Sequence, residues 1–355
     1  MPTISPPATV LVTGANGYIG LWVVRELLAR GYAVRGTVRS AGKARALSEY
    51  VARTLSAAQE RFKAFVVADI TEVGAFDEAI KGADGVVHTA SPVSPSLEDP
   101  EAYIQPAVEG TLGILKSALH SDVKRVVITA SIAGVASSAI APPKVYTEAD
   151  WNDAAVRLVE EEGRKAPGMI KYDASKVLAE RAAWNFMKEH EGEARFDLCM
   201  INASWVFGPL ADDTLSSPSA MSATPLHMYN MLFATPAPAE RWPKYLNYVD
   251  VRDVTEILVK ALEVEEAGGQ RILANSQLVT WDDWLRAAKQ LRILPGLDTV
   301  SVSPPEDTPT YPFFANEKAK RIFGIELRTV PDTLKDVVED FRARGWLEHL
   351  EVEKA

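Results

Sequence analysis

The sequence predicts an α/β fold: a doubly wound parallel sheet followed by a smaller C-terminal α/β domain. Three observations predict it. Short apolar runs bounded by turn residues alternate with helical stretches from Ala8 to Thr129, the alternation that builds parallel sheets with right-handed crossovers. The first run passes through a glycine-rich turn directly into a helix. Beyond Ala203 the pattern yields to polar, proline-punctuated segments such as ADDTLSSPSAMSATP and SVSPPEDTPTYPFF.

Ala8–Val12 reads as a buried parallel strand. It leads into Gly14-Ala15-Asn16-Gly17-Tyr18-Ile19-Gly20 and a helical pattern through Leu21, Val24, Leu27 and Leu28. In that context the glycines allow a tight turn and close backbone approach, and the helix N-terminus offers N–H groups to a pyrophosphate. Gly14, Asn16, Gly17, Tyr18, Ile19 and Gly20 are therefore candidate cofactor residues. The next strand, YAVRGTV, ends at Arg39. No acidic residue lies between Gly31 and Ser48, where an NAD-selective chain places a carboxylate for the ribose. Arg39 and Lys43 stand there instead and suit a 2′-phosphate, which makes NADPH the expected cofactor.

Phe62–Ala68 is a third strand, and Asp69-Ile70 at its end is placed to meet the adenine edge. Gly85–Ala90 is a fourth. It delivers Thr89, Ala90 and Ser91 to the carboxyl edge of the sheet, where ligands bind in such folds. His88, inside this apolar strand, reads as a satisfied core histidine. A helix over about 100–120 follows, then a strand over Arg125–Thr129 that presents Ser131.

Tyr172-Asp173-Ala174-Ser175-Lys176 opens a run with Leu178, Ala182 and Phe186 at four-residue spacing, read as one face of an amphipathic helix. Tyr172 and Lys176 are four apart and project from the same side. A cation beside a phenol favours the phenolate. Ser131 adds a neutral donor that can orient a substrate oxygen, so the three together read as a carbonyl site.

After Met200, the strand MINASWVFGP leads into the lid-like segment 210–242, with a helix over Leu226–Phe233. A strand over Tyr245–Val249 and a helix over Asp250–Glu263 come next, and a last helix spans Pro331–Arg344. The expected division is a dinucleotide-binding domain over 1–203, to which 244–263 returns, and a substrate domain over 204–355. Ser91, Val93, Trp205, Phe207, Met221, Met228, Tyr229 and Phe233 would form an apolar substrate pocket.

The net charge of −10 argues against a general nucleic-acid or anionic-membrane surface. The single cysteine, Cys199, lies in an apolar strand and forms no internal disulfide, which fits a reducing compartment. Together with the absence of an 18-residue apolar run, this makes a cytoplasmic protein the expectation. No His or Cys pair has metal-ligand spacing. The expected partner is a small-molecule carbonyl substrate, and the chain would act as a monomer or homodimer.

Thr13-Gly14-x-x-Gly17-x-x-Gly20, Ser131 and Tyr172-x-x-x-Lys176, in this order and spacing, resemble the extended short-chain dehydrogenase/reductase family. His88-Thr89-Ala90-Ser91-Pro92, Arg39, and Asn316-x-Lys318-Ala319-x-Arg321-Ile322-Phe323-Gly324 are similar to the branch of dihydroflavonol, cinnamoyl-CoA and fungal aldehyde/ketone reductases. The resemblance implies a Rossmann sheet and NADPH, with Tyr172 as general acid, Lys176 as its tuning cation and ribose ligand, and Ser131 as hydrogen-bond donor to the carbonyl oxygen. Three positions depart from the branch: Ala203 where Pro is usual, Gly113 where Asn is common, and Ala107 where many relatives carry a relay asparagine. Proton resupply would then use water or the ribose hydroxyl. A sugar-nucleotide epimerase or dehydratase shares the triad, but the absence of an acidic residue after the second strand counts against it. A non-catalytic NADP sensor would typically lose the Tyr/Lys pair, which this chain keeps.

Overall fold

The computed structural model describes residues 3–91, 98–137, 139–233, 245–293 and 311–348. The first half alternates as expected: β1 (Thr9–Thr13), α1 (Tyr18–Ala29), β2 (Ala33–Val38), α2 (Ala41–Thr54), β3 (Phe62–Val66), α3 (Asp77–Ile80), β4 (Gly85–His88), α4 (Glu101–Leu119) and β5 (Arg125–Ser131). A short β6 (Val145–Tyr146), α5 (Asp153–Glu162), α6 (Gly168–Glu189) and β7 (Asp197–Ala203) complete the region before residue 204. Then come β8 (Trp205–Phe207), α7 (Ala223–Phe233), β9 (Tyr245–Asp250), α8 (Val251–Glu263), β10 (Arg271–Ala274), β11 (Gln277–Thr280) and α9 (Trp281–Leu291). The chain closes with β12 (Phe313–Phe314), α10 (Glu317–Phe323) and α11 (Val330–Ala343).

Seven strands form one parallel sheet in the order β10-β7-β5-β4-β1-β2-β3. The direction of winding reverses between β1 and β4, which sets a crevice at their carboxyl ends. Period-two alternation explains the two layers. In β7, Cys199, Ile201 and Ala203 face a core shared with α1, α2 and α8, while Leu198 and Met200 face the core shared with α4 and α6. The Cys199 thiol is fully buried, and desolvation pushes it up to about 12.

The run over 200–209 is two strands, not one. β7 ends at Ala203, Ser204 N–H donates to the Ala274 carbonyl at 3.0 Å, and β8 leaves for a second sheet ordered β11-β9-β8. The segment 244–263, expected to return to the large sheet, divides in the same way. Its strand, β9, pairs with β8 and β11 in the small sheet, whereas its helix, α8, packs on the large-sheet side with Val254, Ile257 and Leu258 against α1. The strand that joins the large sheet is β10, beside β7. Its four residues are too short for periodicity to separate from a helix or loop. No described helix is long and apolar enough to cross a membrane.

Candidate active site

The glycine turn is built by crowding. Gly14 has φ of +64°, in the left-handed region, and a Cβ there would lie 3.0 Å from Ala90 N and Cα. A Cβ on Gly20 would lie 2.2 Å from the Gly14 carbonyl oxygen, so the start of α1 packs directly on the turn. Thr89 Oγ1 donates to the Thr13 carbonyl at 2.6 Å and Ala90 N–H donates to Thr13 Oγ1 at 3.1 Å, stitching the β4 end to the turn. His88 is buried and bonds Thr13 through Nδ1 at 2.8 Å. Burial, and secondarily Lys176, push it down to about 3, so the ring is a neutral structural element.

A cleft of about 570 Å³ opens at the switch point. Of the candidate cofactor residues, Gly14, Asn16, Gly17, Tyr18, Arg39, Lys43, Ile70, Thr89, Ala90 and Ser91 line it. Gly20 and Ile19 do not: Gly20 is filled from beneath, and Ile19 packs against the large hydrophobic core. Asp69 is exposed. Its carboxylate accepts from Thr71 N–H at 2.8 Å and Thr71 Oγ1 at 2.7 Å, and the Thr71 backbone hydrogen bond leads the causes that hold it below the usual carboxylate range.

The far wall comes from the start of the lid-like segment, and of its residues only Met221 was among the expected pocket residues. Leu210, Ala211, Asp212, Leu215 and Met221 face the glycine turn and Arg39 across the cleft. This strap is tied down by Tyr18 Oη to the Gly208 carbonyl (2.8 Å), Trp22 Nε1 to Pro209 (3.1 Å) and Tyr50 Oη to Ala211 (2.8 Å), and by the Arg53–Asp213 ion pair. The aromatic donors on α1 and α2 that hold it lie about 160 to 190 residues from their partners, so the tie itself could not be read from the sequence.

Ser91 of the cleft wall leads to the Tyr/Lys pair: Lys176 Nζ donates to Ser91 Oγ at 2.7 Å and stands 5.2 Å from the centre of the Tyr172 ring. Ser131 ends β5. Its Oγ accepts from Ala133 N–H at 3.2 Å, capping the short turn over Ile132–Gly134. The capping role and a site role are compatible, since an accepted hydrogen bond leaves the hydroxyl proton free to donate elsewhere. The helix that carries Tyr172 and Lys176 begins at Gly168 and is not buried on a single stripe: Asp173, Ser175, Ala179, Glu180 and Ala183 are buried, while Leu178 and Ala182 are only half-buried. It is packed by α4 and α5 as well as by the sheet end, which overrides the one-face pattern. Asp173 is 3 % exposed, and desolvation pushes it up to about 7 against hydrogen bonds from Ser137 and Asn152.

The apolar pocket residues divide. Phe207, Met228 and Phe233 are at most 2 % exposed and fill the core of the smaller lobe with Trp284, Tyr248 and Phe341. They turn inward because β8 and α7 have a helix layer, α9 and α11, to cover. Trp205 is half-buried and its ring lies 4.8 Å from that of His227 at a 34° tilt, and Tyr229 Oη donates to the Trp346 carbonyl. Val93 lies outside the described residues.

The profile of the NAD dependent epimerase/dehydratase family matches residues 10–274. Cinnamoyl-CoA reductase CAD2 of Medicago truncatula is 34 % identical over 340 residues, 94 % of this chain and 96 % of that one. The NADPH-dependent methylglyoxal reductase GRE2 of Saccharomyces cerevisiae is 31 % identical over 344 residues, 92 % of this chain and 96 % of that one. The crystal structure of yeast methylglyoxal/isovaleraldehyde reductase Gre2 complexed with NADPH superposes with a TM-score of 0.82 at 30 % identity, covering 95 % of this chain and 99 % of that chain. With its switch-point cleft, glycine turn and Tyr-x-x-x-Lys helix, the chain belongs to the NAD dependent epimerase/dehydratase family, the extended short-chain dehydrogenase/reductases.

Proposed function

We propose that this chain is an NADPH-dependent reductase of a ketone or aldehyde carbonyl on an apolar or aromatic small molecule. The observation that carries the reading is Lys176, whose Nζ bonds Ser91 Oγ in the wall of the cleft that also holds Arg39 and Lys43 and stands 5.2 Å from the centre of the Tyr172 ring. The residues fit a dinucleotide phosphate. The turn leaves backbone, not side chains, facing the cleft at Gly14 and Gly17, and α1 carries no acidic residue in its first turn. Gly14, Asn16 and Gly17 would hold the pyrophosphate, Arg39 and Lys43 the 2′-phosphate, and Lys176 the nicotinamide ribose.

Bound NADPH supplies the hydride that reaches the carbonyl carbon. Tyr172 gives its phenol proton to the carbonyl oxygen, so that the product is an alcohol and the side chain is left as a phenolate. Lys176 stabilises that phenolate as an adjacent cation, and its bond to Ser91 fixes where the ammonium stands. Ser131 donates its hydroxyl proton to the same substrate oxygen, while Ala133 N–H occupies one of its lone pairs. The phenol is then restored by a proton from water.

The relatives named as cinnamoyl-CoA and methylglyoxal reductases support a carbonyl substrate. The test is NADPH consumption by the purified chain against a panel of aliphatic, aryl and polyketide-like aldehydes and ketones. At least one should be reduced to its alcohol; consumption with none would refute the proposal.

A further inference from the structure

Ser131 and the Tyr172/Lys176 pair stand on different elements, β5 and α6. What holds the two in register is a buried polar cluster one turn beyond Lys176. Glu180 is 1 % exposed. Its Oε1 accepts from Arg271 Nε at 2.7 Å and its Oε2 from Arg271 Nη2 at 3.0 Å. The same Oε2 accepts from Asn202 Nδ2 at 2.9 Å.

Both donors reach onward to the turn that carries Ser131. Asn202 Nδ2 also donates to the Ser131 carbonyl at 3.1 Å, and Arg271 Nη2 also donates to the Gly134 carbonyl at 3.2 Å. The turn has no slack against the helix, since a Cβ on Gly134 would lie 3.2 Å from Glu180 Oε2 and 3.7 Å from the Lys176 carbonyl. Arg271 is in turn fixed by the Glu148 and Asp150 carbonyls and lies 3.9 Å over the Trp151 ring. A buried ion pair is weak evidence for stability, because apolar residues of similar volume often replace one without loss. Directional bonds to two carbonyls of one turn serve geometry instead.

We propose that Glu180, acting through Asn202 and Arg271, is a positioning residue that sets the spacing between Ser131 and the Tyr172/Lys176 pair. The assignment rests on the proposal that those three residues perform the reduction. It concerns none of the atoms that touch substrate.

The test is a double-mutant cycle on turnover, with rates expressed per NADPH-binding site so that unfolded molecules are not counted. Glu180→Gln keeps the shape and removes the charge. Glu180→Met with Arg271→Met replaces the pair by apolar volume and guards against a misfolded single variant. Both should lower kcat about tenfold or more while the Kd for NADPH stays within about twofold. Ser131→Ala should cost about a hundredfold in the native background but less than about tenfold in either Glu180 background, because the serine is already displaced there. Additive losses, or a Met/Met variant with native kcat, would overturn the proposal. Tyr172→Phe, run alongside, separates the two readings: if it retains turnover, the triad itself is wrong, whatever the cycle returns.

Discussion

Replacing Gly20 by alanine tests whether the turn is the cofactor cradle. The added methyl would sit 2.2 Å from the Gly14 carbonyl oxygen, 3.0 Å from its carbon and 2.9 Å from Thr89 Oγ1. To reach even the tightest tolerated contact, the helix and turn must separate by about 0.8 Å. The obstacle is backbone, which cannot rotate away as a side chain could. Overpacking of this kind costs about 1–3 kcal/mol. The strain falls on the turn whose N–H groups would hold the pyrophosphate, so NADPH binding should weaken by about tenfold to a hundredfold, at 1.4 kcal/mol per decade. Fluorescence titration of NADPH measures it directly. Gly42→Ala is the control: its Cβ would meet nothing within 4 Å on α2, and it should bind NADPH as the native chain does. Native affinity in Gly20→Ala would refute the cradle.

Other outcomes follow from the same geometry. Arg39→Ala should weaken NADPH by about tenfold or more and leave NADH within about twofold, since only the former carries the 2′-phosphate; equal losses, measured by titration, would rule the contact out. Asp173 gives a pH dependence. Its folded pKa is raised from 3.8 to about 7 by desolvation, so the unfolded chain releases its proton first and stability falls as pH rises from about 4 to about 7. The full effect is on the order of 4 kcal/mol. Asp173→Asn should flatten that decline in urea unfolding, and parallel pH slopes for the two proteins would contradict it. Arg125 is fully buried and pairs with Asp197 through bonds of 2.6 and 2.8 Å. Asp197→Ala leaves that cation uncompensated and should cost about 3–5 kcal/mol in the same assay.

The large sheet was legible because its early strands are short, mostly apolar runs, β1 and β4 above all, and each ends in a distinct turn. Gly14, Arg39, Ser91 and Ser131 could be placed from chain order alone, since parallel strands deliver their carboxyl ends to one edge. What could not be read depends on pairing across long separations. Ala203 and Trp205 belong to adjacent stretches of one apolar run, and only the β9 partner decides that the second half leaves for another sheet. Phe207, Met228 and Phe233 looked like pocket residues because apolar side chains after a catalytic helix suit a substrate. Composition cannot tell a pocket wall from a core, and here the layer of α9 and α11 claims them. Glu180 escaped for a related reason. Its spacing of four from Lys176 resembles a solvated helical pair, and its partner Arg271 stands on a four-residue strand 91 positions away.

The central claim is that the Tyr172 phenol is the proton donor to a carbonyl held over NADPH. Tyr172→Phe removes one oxygen and leaves the cleft lining untouched. Single-turnover reduction of the best carbonyl from the panel, with NADPH affinity measured on the same preparation, is the most direct measurement. Turnover should fall at least a thousandfold with the Kd for NADPH within about twofold of native. Reduction at more than a tenth of the native rate would contradict the account.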